Sequence, residues 1–324
     1  MSEENKSTEA SNPQWEQDLI NRLAFAALNE QRKSRRWKIF FMLLIISYLF
    51  LVFFTVANRE PSVTANLISR KHTALIEING VIAADKEASA DNIVTGLRNA
   101  FENDNAAGII LRINSPGGSP VQAGYIYDEI NRLRELHPDT KVYAVISDIG
   151  ASGGYYIAAA ADEIYADKAS IVGSIGVVMH NFGFTEAMDK LGIERRLYTA
   201  GENKGFLDPF SPAKKEDVQH IKRMLGNIHQ QFIDAVKKGR GDKLGDDPKL
   251  FSGLIWTGEE GVELGLIDGL GNSSYVAREV IHAENIVNYT PQPDFFERFT
   301  KQFGTAVASS LGDIMGLESN KTLR

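Results

Sequence analysis

Between Ile39 and Ala57 the chain carries no charged residue, and most positions are Phe, Leu, Ile or Val. At the helical rise, a run of this length spans about 28 Å, close to the hydrocarbon thickness of a bilayer. Lipid offers the backbone no hydrogen-bond partner, so such a run has to pair its own amides, and a single segment does that only as a helix. Arg32, Lys33, Arg35, Arg36 and Lys38 stand immediately before it. Basic residues at one end hold that end in the cytoplasm. The reading is a cytoplasmic segment over 1–38, a transmembrane helix over 39–57 in contact with lipid, and the rest of the chain across the membrane. A cleaved signal peptide is the rival, with Thr55-Val56-Ala57 as its cleavage site. The long polar region ahead of the run and the run's own length argue against it. Residues 1–14 are polar and read as disordered. Trp15 to Leu28 places Leu19, Ile20, Leu23 and Ala27 near helical spacing.

After a polar connector over 58–71, the chain is long enough for one large or two modest globular domains; of its 324 residues, 43% are hydrophobic. A net charge of −7 argues against a general nucleic-acid binder. The absence of cysteine excludes disulfides, zinc–thiolate sites and a cysteine nucleophile. Strand patterns fall at Thr73–Ile82, Ala107–Ile113, Lys141–Ser147, Asp162–Ala166 and Glu194–Tyr198. Helical patterns fall at Asp91–Asn103, with Asp91 a candidate N-cap, after Pro120 as far as Leu136, and at Thr185–Leu191. Strands alternating with helices imply a mainly parallel sheet covered by helices. Later helical patterns cover Pro212–Gly239, Thr257–Leu264, Ser273–Ala283 and, in a tail from residue 291 to 324, Asp294–Leu311.

Two small-residue turns follow two neighbouring strands. One is Asn114-Ser115-Pro116-Gly117-Gly118-Ser119-Pro120; the other is Asp148-Ile149-Gly150-Ala151-Ser152-Gly153-Gly154. In a parallel sheet both open at the same edge, where α/β proteins place their sites. Ser152 sits where a strand becomes a helix and is either a nucleophile or a plain helix N-cap. Acyl chemistry on a serine needs backbone N–H donors for the oxyanion. Gly153 can supply one and Gly117 or Gly118 the other; the bland alternative is a tight turn. Gly117-Gly118-Ser119 lacks both the Lys-Ser/Thr ending of a P-loop and the spacing of a dinucleotide fingerprint. The serine also needs a base. Lys204 lies in a polar stretch after the Glu194–Tyr198 pattern, and a lysine serves at neutral pH only where burial lowers its pKa. His180 follows the apolar Val177-Val178-Met179, and histidine suits the task unperturbed. On residue chemistry alone His180 is the better base.

Four motifs in order, Ile113 to Gly118, Gly150 to Ala158, Gly173-Ser174-Ile175-Gly176-Val177, and Lys204, resemble the signal peptide peptidase A family over roughly Thr73 to Ile281. The resemblance implies a ClpP/crotonase-like α/β domain over about 72–290. It also implies a membrane-anchored serine protease with a Ser–Lys dyad and no metal or cofactor. Ser152 is then the nucleophile and Lys204 the general base. Gly117 or Gly118 forms the oxyanion hole with Gly153, and Ser174 orients the lysine. Signal peptides left in the membrane become the substrates, the domain faces the periplasm from the inner membrane, and homo-oligomeric rings let neighbouring subunits complete each site. One departure stands beside the lysine: Gly205-Phe206-Leu207 follows it where relatives often carry small or polar residues. The first two motifs also resemble the Clp protease proteolytic subunit, whose base is a histidine, and His180 falls about where that base would lie. A crotonase-type acyl-CoA enzyme and a non-catalytic membrane scaffold are the two other readings of the same fold.

Overall fold

The computed structural model describes residues 13–57 and 68–291. The chain divides into two compact units, residues 1–63 and 64–324. In the first unit the described residues form one helix, α1 (Pro13–Ala57). Proline suits the first helical position, where its missing N–H is not needed. Beyond it α1 holds neither glycine nor proline, so the Trp15–Leu28 pattern and the apolar run are one uninterrupted element. Arg32–Phe54 is long and apolar enough to cross a membrane.

In the second unit the chain runs β1 (His72–Asn79), α2 (Ala90–Phe101), β2 (Ala106–Ser115), α3 (Pro120–Leu136), β3 (Val142–Ala151), α4 (Gly153–Ala158), β4 (Glu163–Ala166) and β5 (Ile171–Gly173). Then come α5 (Thr185–Leu191), α6 (Lys215–Arg240), β6 (Ile255–Thr257), α7 (Gly258–Glu263), β7 (Gly269–Leu270), α8 (Ser273–Tyr275) with a π turn to Val280, and β8 (Ile286–Asn288). The sheet order is β6-β5-β3-β2-β1-β8, with β4 and β7 branching from β3. Every pairing is parallel except β5 with β6. The mainly parallel α/β architecture expected from the alternation is therefore present.

Side chains alternate across the strands. Ile76, Ile78, Ile109, Leu111 and Ile113 join the larger core beneath α2 and α3, and Leu75, Ile110 and Val145 meet Val276 and Ala277 on the other face. Burial on both faces explains the near-continuous apolar runs of β1 to β3. β3 forks: Tyr143–Ile146 pair with β4, and Ile149–Ala151 pair with β5. That fork carries β3 four residues past the predicted strand end, up to Ser152. At the opposite edge β8 closes on β1. There Thr73 Oγ1 donates to Ala283 O at 2.7 Å, and the Tyr289 hydroxyl bridges the ring of His72 and the amide of Asn103.

Two expectations are corrected. Asp91 does not cap α2: the N-cap is Ser89, and Asp91 lies in the first turn, where a carboxylate still favours the helix dipole. Glu194–Tyr198 is not a strand but exposed irregular chain. The side of β5 away from β3 is taken by β6, and Glu194–Tyr198 pairs with no strand among the described residues. The Asp294–Leu311 helix lies outside the described residues, as does most of the 58–71 connector.

Candidate active site

The end of β3 delivers Ser152 in a conformation that L-residues seldom adopt, with φ 51° and ψ −122°. The cost of such a backbone is about 1–3 kcal/mol. Two bonds hold it in place: Ser152 N donates to Gly173 O on β5 at 2.9 Å, and Ser152 O accepts from Tyr156 N at 2.9 Å within the first turn of α4. The strand on one side and the helix on the other fix the backbone and leave the half-buried hydroxyl at the sheet's edge.

Facing it is the turn after β2. Gly117 (φ +98°) has no room for a side chain: a Cβ there would lie 2.7 Å from both Ser152 Cβ and Gly153 N. Gly118 is equally constrained, since its Cβ would meet Ile82 O at 2.2 Å. The turn is tied to the chain after β1 by Ile82 N to Gly117 O (3.0 Å) and Ser119 N to Ile82 O (2.8 Å). Of the candidate oxyanion donors, Gly117 N is engaged by Ser115 Oγ at 3.1 Å. Gly118 N and Gly153 N have no partner among the described residues and lie close together, a Cβ on Gly153 falling 3.3 Å from Gly118 N. The structure therefore chooses between the two glycines left open by the sequence: Gly118, with Gly153, is the pair free to hold an oxyanion.

The platform under α4 is rigid. Tyr155 is fully buried and donates its hydroxyl to Leu266 O at 2.6 Å; burial pushes its phenol well above the ordinary tyrosine range. Beside it Arg240, at the end of α6, donates to Gly265 O (2.9 Å) and to Asp268 Oδ2 (2.6 Å). Burial works to raise the Asp268 pKa, yet hydrogen bonds from Arg240, Lys243 and the Ile164 amide outweigh it, and the carboxyl titrates below its usual value.

Ser152 opens into a cavity of about 540 Å³. Ser174, Tyr156, Val177, His229 and Phe232 line it together with Gly118 and Gly153. Ser174, like Ser152, has a positive φ of 53°, and its N–H donates to Leu254 O at 2.7 Å. The structure thus brings together Ser152, Gly118, Gly153 and Ser174. Neither Lys204 nor His180 lines this cavity. Both lie on an exposed excursion between β5 and α6, with Lys204 in a turn closed by its N–H to Gly201 O at 3.1 Å. The excursion shows water an unusual amount of apolar surface for a soluble chain: Val178 and Phe182 are each 72% exposed and Tyr198 88%. His229 had no motif to mark it. Only its place on the apolar stripe of α6, three residues before Phe232 and seven before Val236, could have flagged it as inward-facing.

Comparison with known proteins agrees with this geometry. The family model of peptidase family S49 matches residues 134–286, and that of Clp protease matches residues 66–172. A Synechocystis sp. protein named as a protease is 31% identical over 203 residues, covering 63% of this chain and 71% of its own length. An Enterococcus faecium protein whose name assigns it to signal peptide peptidase SppA is 30% identical over 213 residues, covering 63% of this chain and 61% of its own. A Brucella melitensis protein named Na(+)/H(+) antiporter NhaA is 54% identical over 176 residues, which is 54% of this chain but only 24% of that protein. The chain thus spans 24% of the antiporter-named relative and 61% of the SppA-named one. Strand-end serine, facing glycine turn, ClpP-like sheet and these matches converge: the chain belongs to peptidase family S49, the signal peptide peptidase A family.

Proposed function

We propose that this chain is a membrane-anchored serine endopeptidase that cleaves signal peptides, and other membrane or exported proteins, on the periplasmic side of the inner membrane. The observation that carries the reading is the pairing of a strained, strand-end Ser152 with two unpartnered backbone donors, Gly118 N–H and Gly153 N–H. A helix-capping serine needs neither the strain nor the donors; attack on a carbonyl uses both. The base is Lys204. Because Lys204 sits on an exposed apolar excursion and not on the wall of its own chain's cavity, the reading is that a neighbouring copy in a homo-oligomeric ring delivers it, packing that apolar surface in doing so. The reaction is acyl transfer. Lys204 Nζ takes the proton from Ser152 Oγ as Oγ bonds to the peptide carbonyl carbon. The oxyanion rests on the two glycine amides. The lysine ammonium returns the proton to the departing amine as the C–N bond breaks. Water, deprotonated by the same lysine, then bonds to the acyl carbon; as the Oγ–C bond breaks, the lysine ammonium returns that proton to Ser152 Oγ and the acid is released. The helix Arg32–Phe54 keeps the site near apolar peptides in the bilayer.

The test is hydrolysis of an unstructured apolar peptide by the assembled protein. Ser152→Ala and Lys204→Ala should each lose at least a hundredfold in rate, and His180→Ala should stay near wild type. Mixing the Ser152→Ala and Lys204→Ala chains before assembly should restore part of the activity, because some sites then draw an intact serine and an intact lysine from different copies. Loss in His180→Ala with Lys204→Ala still active would move the base to the histidine. No recovery on mixing would place serine and lysine in one chain.

A further inference from the structure

One polar side chain in the Ser152 cavity has no part in the chemistry above. His229 stands on the inward stripe of α6, among Ile228 and Phe232, and reaches across to the segment after β5. Its Nε2 lies 3.0 Å from Ile175 O. A carbonyl can only accept, so Nε2 carries the proton and donates. The bond joins residues 54 positions apart and ends on a carbonyl whose own residue is fully buried.

Ile175 O belongs to the same planar peptide unit as Gly176 N–H. Holding the carbonyl therefore fixes the direction of that N–H as well. Gly176 lines the cavity with Ser152, and its N–H has no partner among the described residues. The segment is held from two sides, by Leu254 O accepting from Ser174 N and by His229 donating to Ile175 O. Gly176 itself has little room to shift toward Gly253, whose Cα would lie 3.0 Å from an added Cβ. The result is a short, non-sheet stretch of backbone at the cavity whose free N–H has a fixed direction, opposite to the carbonyl that His229 holds. An extended peptide offers carbonyl acceptors at strand spacing to such an N–H.

We infer that His229 is a positioning residue for peptide substrates: through the Ile175–Gly176 peptide plane it holds the Gly176 N–H in place to receive a carbonyl of the substrate main chain. It touches no reacting atom. The inference rests on the peptidase reading and adds to it a main-chain contact beyond the oxyanion hole. A ligand that reaches only Ser152 and the two oxyanion donors does not use that contact, whereas a peptide running past the scissile bond does.

This difference sets the experiment. His229→Leu removes the donor and keeps an apolar side chain of similar reach on α6; His229→Gln keeps an amide N–H to donate to Ile175 O. In the assembled full chain, His229→Leu should raise KM for an extended peptide about tenfold, the worth of one hydrogen bond, with kcat within about twofold of wild type. The rate at which a small alkyl fluorophosphonate labels Ser152 should also stay within about twofold, which shows that the fold and the nucleophile are intact. His229→Gln should bring KM back toward wild type. The inference is overturned if labelling falls in step with peptide cleavage, if kcat falls while KM holds, or if His229→Gln is as impaired as His229→Leu. A wild-type protein that neither labels at Ser152 nor cleaves peptide removes the peptidase reading itself, and this inference with it.

Discussion

Ser152 sits at the end of β3 with φ 51° and ψ −122°. Its place between an apolar strand and an Ala-rich helix marked it, and so did the glycines around it. Its backbone angles could not be read that way, because they result from β3 being gripped by β5 up to Ala151. The same holds for the glycines opposite. Their abundance was visible, but only the hydrogen bond from Gly117 N to Ser115 Oγ shows which one is spent on the turn and which is free. A testable consequence follows from the strain. Glycine accepts φ 51°, ψ −122° without a Cβ penalty, whereas alanine keeps the penalty. Ser152→Gly should therefore be inactive yet more stable than Ser152→Ala, with the difference about 1 kcal/mol or more, read as a higher Tm. Equal melting of the two would mean that Ser152 stores no strain.

At the level of elements, the alternation of strands and helices was legible through β3 because those strands are buried on both faces and read as apolar runs. After β5 the helices stayed legible and one strand reading failed. Glu194–Tyr198 has a strand's pattern but pairs with no strand among the described residues, and its apolar residues stay exposed. α6 was legible as a helix, but not that its inward face brings His229 to the wall beside Ser152. Its C-terminal end matters too. Arg240, 2% exposed, is matched by Asp268, and one of its guanidinium nitrogens has no partner among the described residues. Asp268→Asn leaves that buried cation without a counter-charge and should cost about 3 kcal/mol at neutral pH. The pH dependence has a definite sign. A carboxylate whose folded pKa is depressed stabilises fully above its unfolded pKa, near ~4, and loses that stabilisation as pH falls through the folded value. The gap between wild type and Asp268→Asn in thermal unfolding should therefore be constant from neutrality down to about pH 5 and narrow below about pH 4. A gap that widened on acidification would contradict the ion-pair account.

For the whole molecule, the plan was legible in outline: one apolar helix, then an α/β unit whose sheet edge carries two glycine turns. What the sequence could not convey was how the ends of that unit meet. β8 is the last described strand, and it pairs with β1, the first, more than two hundred residues earlier. The pairing also seats Tyr289 against His72 and Asn103 and leads Glu77 N to Thr290 Oγ1 at 2.7 Å. A chain stopped after Glu284 should therefore be poorly soluble and should bind a dye for exposed apolar surface, since the β1 edge is then left open. A truncated chain that assembled like the full chain and bound no more dye than it would show β8 to be dispensable. The arrangement also sets a clock. During synthesis the N-terminal strand emerges long before its C-terminal neighbour exists, so β1 waits with one side uncovered while all the residues that build the site are made. The sheet cannot be finished until after Ser152, Lys204 and His229 have all been added. A sheet built this way closes its frame last, and a nascent chain interrupted upstream of β8 leaves the β1 edge open.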